Sequence, residues 1–334
     1  MAADLPDLVQ LVQLIRGSPG VRGKSAIGLV SEIFAGADWV SGPGDDGAVV
    51  RDAGVSLVVG GEAILPAFVA ADPYGAGIAA VLTNVNDLAA MGAWPLALVD
   101  TVTGPEPVAR RLLEGMNWAS GLYRVPVVGG HLTITDGVPA LSAFGLGRAD
   151  RPLSSRSAAP GQALVLAACL DGQMRADFPF FPSFDQRGDL LADDVRVLAE
   201  VASRGLAVAA KDVSMAGLVG SLAMLLECNG LGVILDLDGL PVPAGVALDR
   251  WLICFPCYAF LLCVPPARVG ECLRAFTDRG LAAARVGTLD EDGELRISSG
   301  GRVETAFDLR RESVTNLRRP AGAASVGFVG GPVR

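Results

Sequence analysis

The chain has 334 residues, about half of them hydrophobic, and a formal net charge of −9. That length accommodates two domains and a substantial core. A field of that sign opposes nucleic acid and anionic membranes, and so few aromatic residues do not suit base stacking. It leaves room for a phosphorylated small molecule, because a bound divalent cation screens carboxylates from phosphate.

Residues 1–17 read as an amphipathic helix carrying Asp4 and Asp7, not as a secretion signal. They end at the turn Gly17-Ser18-Pro19-Gly20, and 25–34 suits a second short helix. The strands 48–51 and 55–60 follow a glycine-rich loop at 41–47. Asp72-Pro73 opens the clearest helix: Asp72 caps it and Pro73 takes the first helical position at no hydrogen-bond cost. It runs to about Met91 and stops at Gly92. A strand at 96–102, a helix at 107–122, a short strand at 125–128 ending in Gly129-Gly130-His131, and a strand at 140–147 complete the first half.

Composition shifts across 148–160, which places a domain boundary there: 1–150, then 151–319. The second half is expected to contain strands at 163–168, 208–213, 233–237, 259–264 and 284–289, and helices at 193–203, 217–229 and 266–279. The aromatic–proline segment 178–184 reads as a surface loop, and 320–334 as a disordered Gly-, Ala- and Pro-rich tail. The alternation of strands and helices makes this an α/β protein. No run of about 20 uninterrupted apolar residues is present, so no membrane span is expected and the location is cytoplasmic.

The six cysteines all lie in the second half and are taken as reduced. Cys254 and Cys257 form a lone C-x-x-C. They are core cysteines or a redox or metal pair, although four-ligand zinc lacks partners in a chain with one histidine, His131. Only two lysines occur, Lys24 and Lys211, and their rarity favours a role for each.

Four segments carry candidate chemistry. In Gly44-Asp45-Asp46-Gly47-Ala48, adjacent carboxylates between glycines suit a magnesium ion near phosphates, or simply a solvated turn. In the helix at 84–92, Asn84 and Asp87 share a face three residues apart. Asp87, set among apolar residues, needs a cation, an arginine or an amide as partner. In Gly129-Gly130-His131, the glycines permit close approach to a ligand, and His131 is a ligand, a base or a structural donor. In Lys211-Asp212-Val213-Ser214, a strand leads into a helix start whose free amides suit an anion, or Ser214 is an N-cap. Neither a P-loop nor a Rossmann glycine pattern is present.

In order and spacing, GDDGA at 44–48, NVNDLAAMGA at 84–93, GGHLT at 129–133 and DVSMAGL at 212–218 resemble the aminoimidazole ribonucleotide synthetase-related superfamily. Thiamine-monophosphate kinase, selenophosphate synthetase and the hydrogenase-maturation carbamoyl dehydratase belong to it. The kinase motifs run roughly GDDAA, NLSDLAAMGA, GGDT and DxSDGL. The resemblance implies a two-domain fold in which the first sheet pairs with that of a second subunit to close a barrel, giving a homodimer. It also implies ATP held in a cleft through Mg2+ (or Mn2+). Gly44, Asp45, Asp46, Asn84, Asp87, Gly129 and Gly130 match its nucleotide- and phosphate-binding positions. Asp45, Asp46, Asp87 and Asp212 match its metal positions, and Glu62 matches a kinase Asp more weakly.

Two departures bear on activity. His131 stands where the family carries a metal-binding Asp, which weakens magnesium and favours a softer ion. Met215-Ala216 replaces the second Asp of DxSDGL, which argues against thiamine-phosphate phosphorylation. No cysteine precedes Cys169, unlike selenophosphate synthetase, and the chain does not end in the dehydratase's cysteine. The expected activity is ATP- and magnesium-dependent phosphoryl transfer to an amide, carboxylate or phosphate oxygen of a small molecule, with Lys24, His131 and Asp212 as catalytic candidates. The alternative is a nucleotide-binding paralogue or regulatory subunit without turnover.

Overall fold

The computed structural model describes residues 7–34 and 44–317. Three short helices come first: α1 (Leu8–Gly17), α2 (Pro19–Arg22) and, after a 3-10 turn over Gly23–Ile27, α3 (Gly28–Ile33). The Asp7 carboxylate accepts from the N–H groups of Val9 and Gln10 and starts α1, whose buried stripe is Leu8, Leu11, Val12 and Ile15.

The first half continues as β1 (Ala48–Asp52), β2 (Val55–Ala63), α4 (Pro66–Ala71), α5 (Pro73–Ala90), β3 (Trp94–Gly104), α6 (Glu106–Tyr123), β4 (Val127–Ile134) and β5 (Ala140–Ala149). The five strands form one sheet in the order β1-β2-β5-β3-β4. Only the β3–β4 pair is parallel. Helices α5 and α6 cover one face. Asp72 accepts from the Gly75 N–H and caps α5 as expected. Nearly every residue of α5 from Ala80 onward is buried, because the sheet lies on one side and other helices on the rest. The opposite sheet face leaves Val50, Val59, Val99, Phe144 and Leu146 exposed. Strand β4 does not stop at Gly129-Gly130-His131. It pairs with β3 through those residues to Ile134, so the expectation of a strand end there is corrected.

The second half contains β6 (Ala163–Ala168), β7 (Phe180–Phe181), α7 (Phe184–Arg187), α8 (Leu190–Ser203), β8 (Ala209–Asp212), α9 (Gly217–Glu227) and β9 (Gly232–Asp236). There follow α10 (Leu248–Ile253), β10 (Phe255–Pro256), β11 (Ala259–Val264), α11 (Val269–Thr277), β12 (Ala282–Asp290), β13 (Glu294–Ser299) and β14 (Arg302–Asp308). Seven of these strands form a sheet in the order β14-β13-β9-β12-β6-β11-β8. Strands β6 and β11 are buried at every position, which is why they read as unbroken apolar runs. Val165, Ala167, Leu262 and Val264 face a core shared with α5, α6, α8 and α11. Leu164, Leu166, Leu261 and Cys263 face a second core with α1, α9 and α10. The first core crosses between the two halves and packs them together.

The aromatic segment is not a surface loop: β7 pairs with β10, and Phe181 is buried edge-on against Trp251 at 5.5 Å. The β13–β14 hairpin went unread in the sequence. The N-terminal helices, although first in the chain, pack on the second half. Arg16 donates to the Ala306 carbonyl at 2.7 Å and pairs with Glu312, and the Asn316 amide donates to the Ser25 carbonyl at 3.1 Å. No helix among the described residues is long and apolar enough to cross a membrane. All six cysteines are free thiols, and burial pushes those of Cys254 and Cys257 up to about 12. The expected tail, 320–334, and Ser41, Gly42 and Pro43 of the glycine-rich loop lie outside the described residues.

Candidate functional site

Three carboxylates converge where the two sheets approach each other. Asp46 lies just before β1, Asp87 is in the last turns of α5, and Asp212 ends β8, an edge of the second sheet. One oxygen of each lies within 4.8 Å of the others, the only such acidic grouping among the described residues. Each is placed by a different rule of local structure. Asp87 faces inward because α5 is buried on nearly all sides. Asp212 is the last residue of a strand that pairs with β11 through Phe260. Asp46 sits in the bend that leads into β1, and its neighbour, Asp45, turns elsewhere.

Lys211 precedes Asp212 and turns into the same space. Its ammonium donates to Asp46 and, at 3.2 Å, to Asp212. The Asp212 N–H donates to the second Asp46 oxygen at 3.1 Å. These side chains are almost dry: 5% exposed for Lys211 and Asp46, 3% for Asp212. Asp87 accepts no hydrogen bond from any described residue, although it is buried. Burial, and then the charges of Asp212, Asp46 and Glu62, hold its carboxyl well above the ordinary range. Burial pushes Asp46 up to about 7 despite Lys211. Burial opposes the Lys211 charge, but Asp46 and Asp212 outweigh it, so its ammonium is held above its ordinary value.

Two further residues complete the surroundings. Glu62 on β2 faces the helix layer, and burial raises its carboxyl. Lys24, in the 3-10 turn, lies close enough to Glu62 to oppose that rise. Lys24 is brought there by α2, whose Gly20 touches the loop after β8: a Cβ on Gly20 would stand 1.7 Å from the Met215 carbonyl oxygen.

The other sequence candidates divide. Asp45, expected to hold metal beside Asp46, turns its oxygens elsewhere in this structure. It accepts from the Ser154 hydroxyl at 2.6 Å and from the Ser155 N–H at 2.7 Å, tying the first half to the linker. Asn84 is fully buried and donates to the carbonyls of Ala80 and Ala143, clamping α5 to β5. Gly44 approaches Cys228 with a positive φ of 108°. Gly129, Gly130 and His131 lie on β4, the far edge of the first sheet from β1. His131 is exposed beside Thr101 on the face away from α5, and the structure does not bring it to the three carboxylates. Lys211, Ser154 and Ser155 went unassigned in the sequence. Lysine rarity was the one signal for Lys211.

The donor set suits a hard divalent cation: all oxygen, close-set, with Asp87 lacking a donor among the described residues. With all three carboxylates ionised, as ion binding requires, and one ammonium beside them, the cluster carries a net charge of −2 in a nearly dry space. A single divalent ion balances that charge.

Family models for the AIR synthase related protein match twice, the N-terminal domain over residues 44–149 and the C-terminal domain over 162–299. The chain belongs to the AIR synthase related family. An uncharacterised Synechocystis protein is 35% identical over 277 residues, 82% of this chain and 86% of its own length. The phosphoribosylformylglycinamidine synthase subunit PurL of Methanopyrus kandleri is 29% identical over 304 residues, 81% of this chain but 42% of the longer relative. The fold is that of Thermotoga maritima PurL complexed with FGAR (TM-score 0.75, 18% identity, 98% of this chain and 56% of that one). It is also that of a ThiL protein complexed with AMPPCP and TMP (TM-score 0.63, 18% identity, 84% of this chain and 95% of that one). Both segments that supply the family member's carboxylates here, 46–87 and 212, fall within the matched domains.

Proposed function

We propose that this AIR synthase related protein is an ATP- and magnesium-dependent enzyme, manganese being the alternative ion, that phosphorylates a small substrate on an amide, carboxylate or phosphate oxygen. The observation that carries the proposal is the meeting of Asp46, Asp87 and Asp212 from both matched domains within 4.8 Å. The nucleotide and FGAR complexes of its structural neighbours support the ligand class.

Asp46, Asp87 and Asp212 would hold the ion, which when bound supplies positive charge against the phosphates. Asp212 shares an oxygen environment with Lys211 and orients what reaches the cleft. Lys24, drawn to Glu62 from the N-terminal segment, offsets phosphate charge on the open side. The drying of the site strengthens each of these interactions. In this reading 1–150 carries the nucleotide and metal site, and 151–319 supplies Asp212 and closes the cleft. The exposed apolar face around Val59, Val99, Phe144 and Leu146 supports a second copy closing a barrel over it. A small-molecule substrate, no nucleic acid and a cytoplasmic location complete the reading.

A second reading, a nucleotide-binding paralogue without turnover, draws on one observation: His131, at the position matching the family's Asp, faces away from the three carboxylates. The two are separated by ADP release from ATP and Mg2+ with panels of small amides, carboxylates and phosphate esters, beside Asp212→Asn. Turnover abolished by the substitution supports the enzyme. Binding without turnover across the panels supports the second reading.

A further inference from the structure

Lys211 occupies two of the three carboxylates that a metal ion would use. Its ammonium bonds Asp46 and Asp212 while Asp87 is left without a described donor. A cation that contacts all three must therefore share or take over oxygens that Lys211 already holds. Its four-carbon stem is flexible and its charge is a compact point, so the ammonium can change partners without a shift of the backbone. Strand β8 fixes only its backbone, at the register opposite Leu261.

We propose that Lys211 is a resident counter-cation, which holds the three carboxylates together until a divalent ion displaces it from Asp46. The proposal rests on the assignment of Asp46, Asp87 and Asp212 as an ion site. Without Lys211 the carboxylates repel one another in a space with little water, and a divalent ion becomes the one source of positive charge in contact with them. With Lys211 present, the incoming ion meets a competitor for Asp46 and binds more weakly than the carboxylates alone would allow. Displacement also frees an ammonium at the cleft, where phosphate oxygens arrive with the ion. Lys211 is thus a positioning residue that tunes ion affinity and links ion entry to phosphate binding.

The test uses Mn2+ as probe on the full-length chain, with free ion counted by electron paramagnetic resonance and thermal unfolding followed in parallel. Lys211→Met is expected to bind Mn2+ at least about tenfold more tightly than wild type, since a unit charge a few ångströms away has been removed. Its unfolding midpoint is expected to fall in chelator and to recover with Mn2+. Lys211→Arg, which keeps the charge, is expected to stay near the wild-type affinity. If Lys211→Met folds only with Mn2+ present, the exchange is supported. Equal Mn2+ affinity in wild type and Lys211→Met, or a loss of stability that Mn2+ does not repair, overturns the exchange while leaving the ion site intact. Absence of Mn2+ binding in both proteins overturns the ion site itself and the exchange with it.

Discussion

Lys211 and Asp46, 165 positions apart in the chain, form an ion pair in which each side chain is 5% exposed. The pair joins the end of a strand of the second sheet to the entry of the first. It brings the chemistry of one half into the cleft of the other. A buried pair of this kind costs desolvation of both partners, so its retention points to a role beyond cohesion.

Asp87→Asn tests the cost of the uncompensated carboxylate. Burial and three like charges hold Asp87 above its ordinary range, so a neutral isostere relieves repulsion. In chelator the variant should unfold about 1–2 °C higher than wild type, the size expected for about 1 kcal/mol in a chain of this length. In Mg2+ with ATP it should lose the ligand-induced gain. A lower midpoint in chelator would contradict the account of strain at this site.

The pH dependence has a definite sign. Asp46 titrates at about 7 in the folded protein and near 3.9 when unfolded, and Asp87 and Glu62 shift the same way. The unfolded state therefore ionises first, and the ion-free protein loses stability as pH rises from about 4 through 7. Surface acids with lowered values, such as Asp308 and Glu312, act oppositely but below that window: their stabilisation is lost as pH falls. Urea unfolding at pH 5.5 and 8 in chelator should show greater stability at 5.5, and Asp46→Asn should reduce the difference. Saturating Mg2+ should also reduce it.

Asp45→Ala separates the two adjacent aspartates. It removes the acceptor for Ser154 and Ser155 and leaves a buried N–H unpaired. Unfolding in urea should show a loss of about 1–3 kcal/mol. Mn2+ affinity should remain within about threefold of wild type, because the carboxylate faces the linker. A large fall in Mn2+ affinity without loss of stability would return Asp45 to the ion site.

Gly20→Ala probes the contact that delivers Lys24. The added methyl meets the Met215 backbone, which cannot yield as a side chain end does. A cost of about 1–3 kcal/mol is expected, with faster proteolysis across 17–28 than in wild type. Unchanged proteolysis would show that α2 does not depend on this contact.

Legibility in the sequence followed how local each signal was. Helix α5 was readable because Asp72-Pro73 marks its start and its apolar residues leave no polar face. Strand β11 was readable as a bare apolar run between prolines. Hairpin β13–β14 was missed although Gly300 and Gly301 both take positive φ, the signature of a tight hairpin turn. Its strands, only half apolar and rich in charge, lack the contrast that marked the others. Among the site residues, Asp46, Asp87 and Asp212 were named from motif and spacing. Which of Asp45 and Asp46 enters the cleft depends on backbone direction, which composition does not encode. The end of β4 was misjudged because two glycines suggested a strand end, whereas parallel pairing with β3 carries the strand past them. Lys211 acquires its meaning only from Asp46, far away in the chain.

The most direct measurement is the thermal unfolding midpoint with and without ATP and Mg2+, for wild type, Asp46→Asn and Asp87→Asn. Ligand at about 100 times its dissociation constant adds roughly 2.7 kcal/mol, a shift of a few degrees for a chain of this size. The account predicts that shift in wild type and its loss in both variants. No shift at millimolar nucleotide with either Mg2+ or Mn2+, or an equal shift in all three proteins, would contradict it.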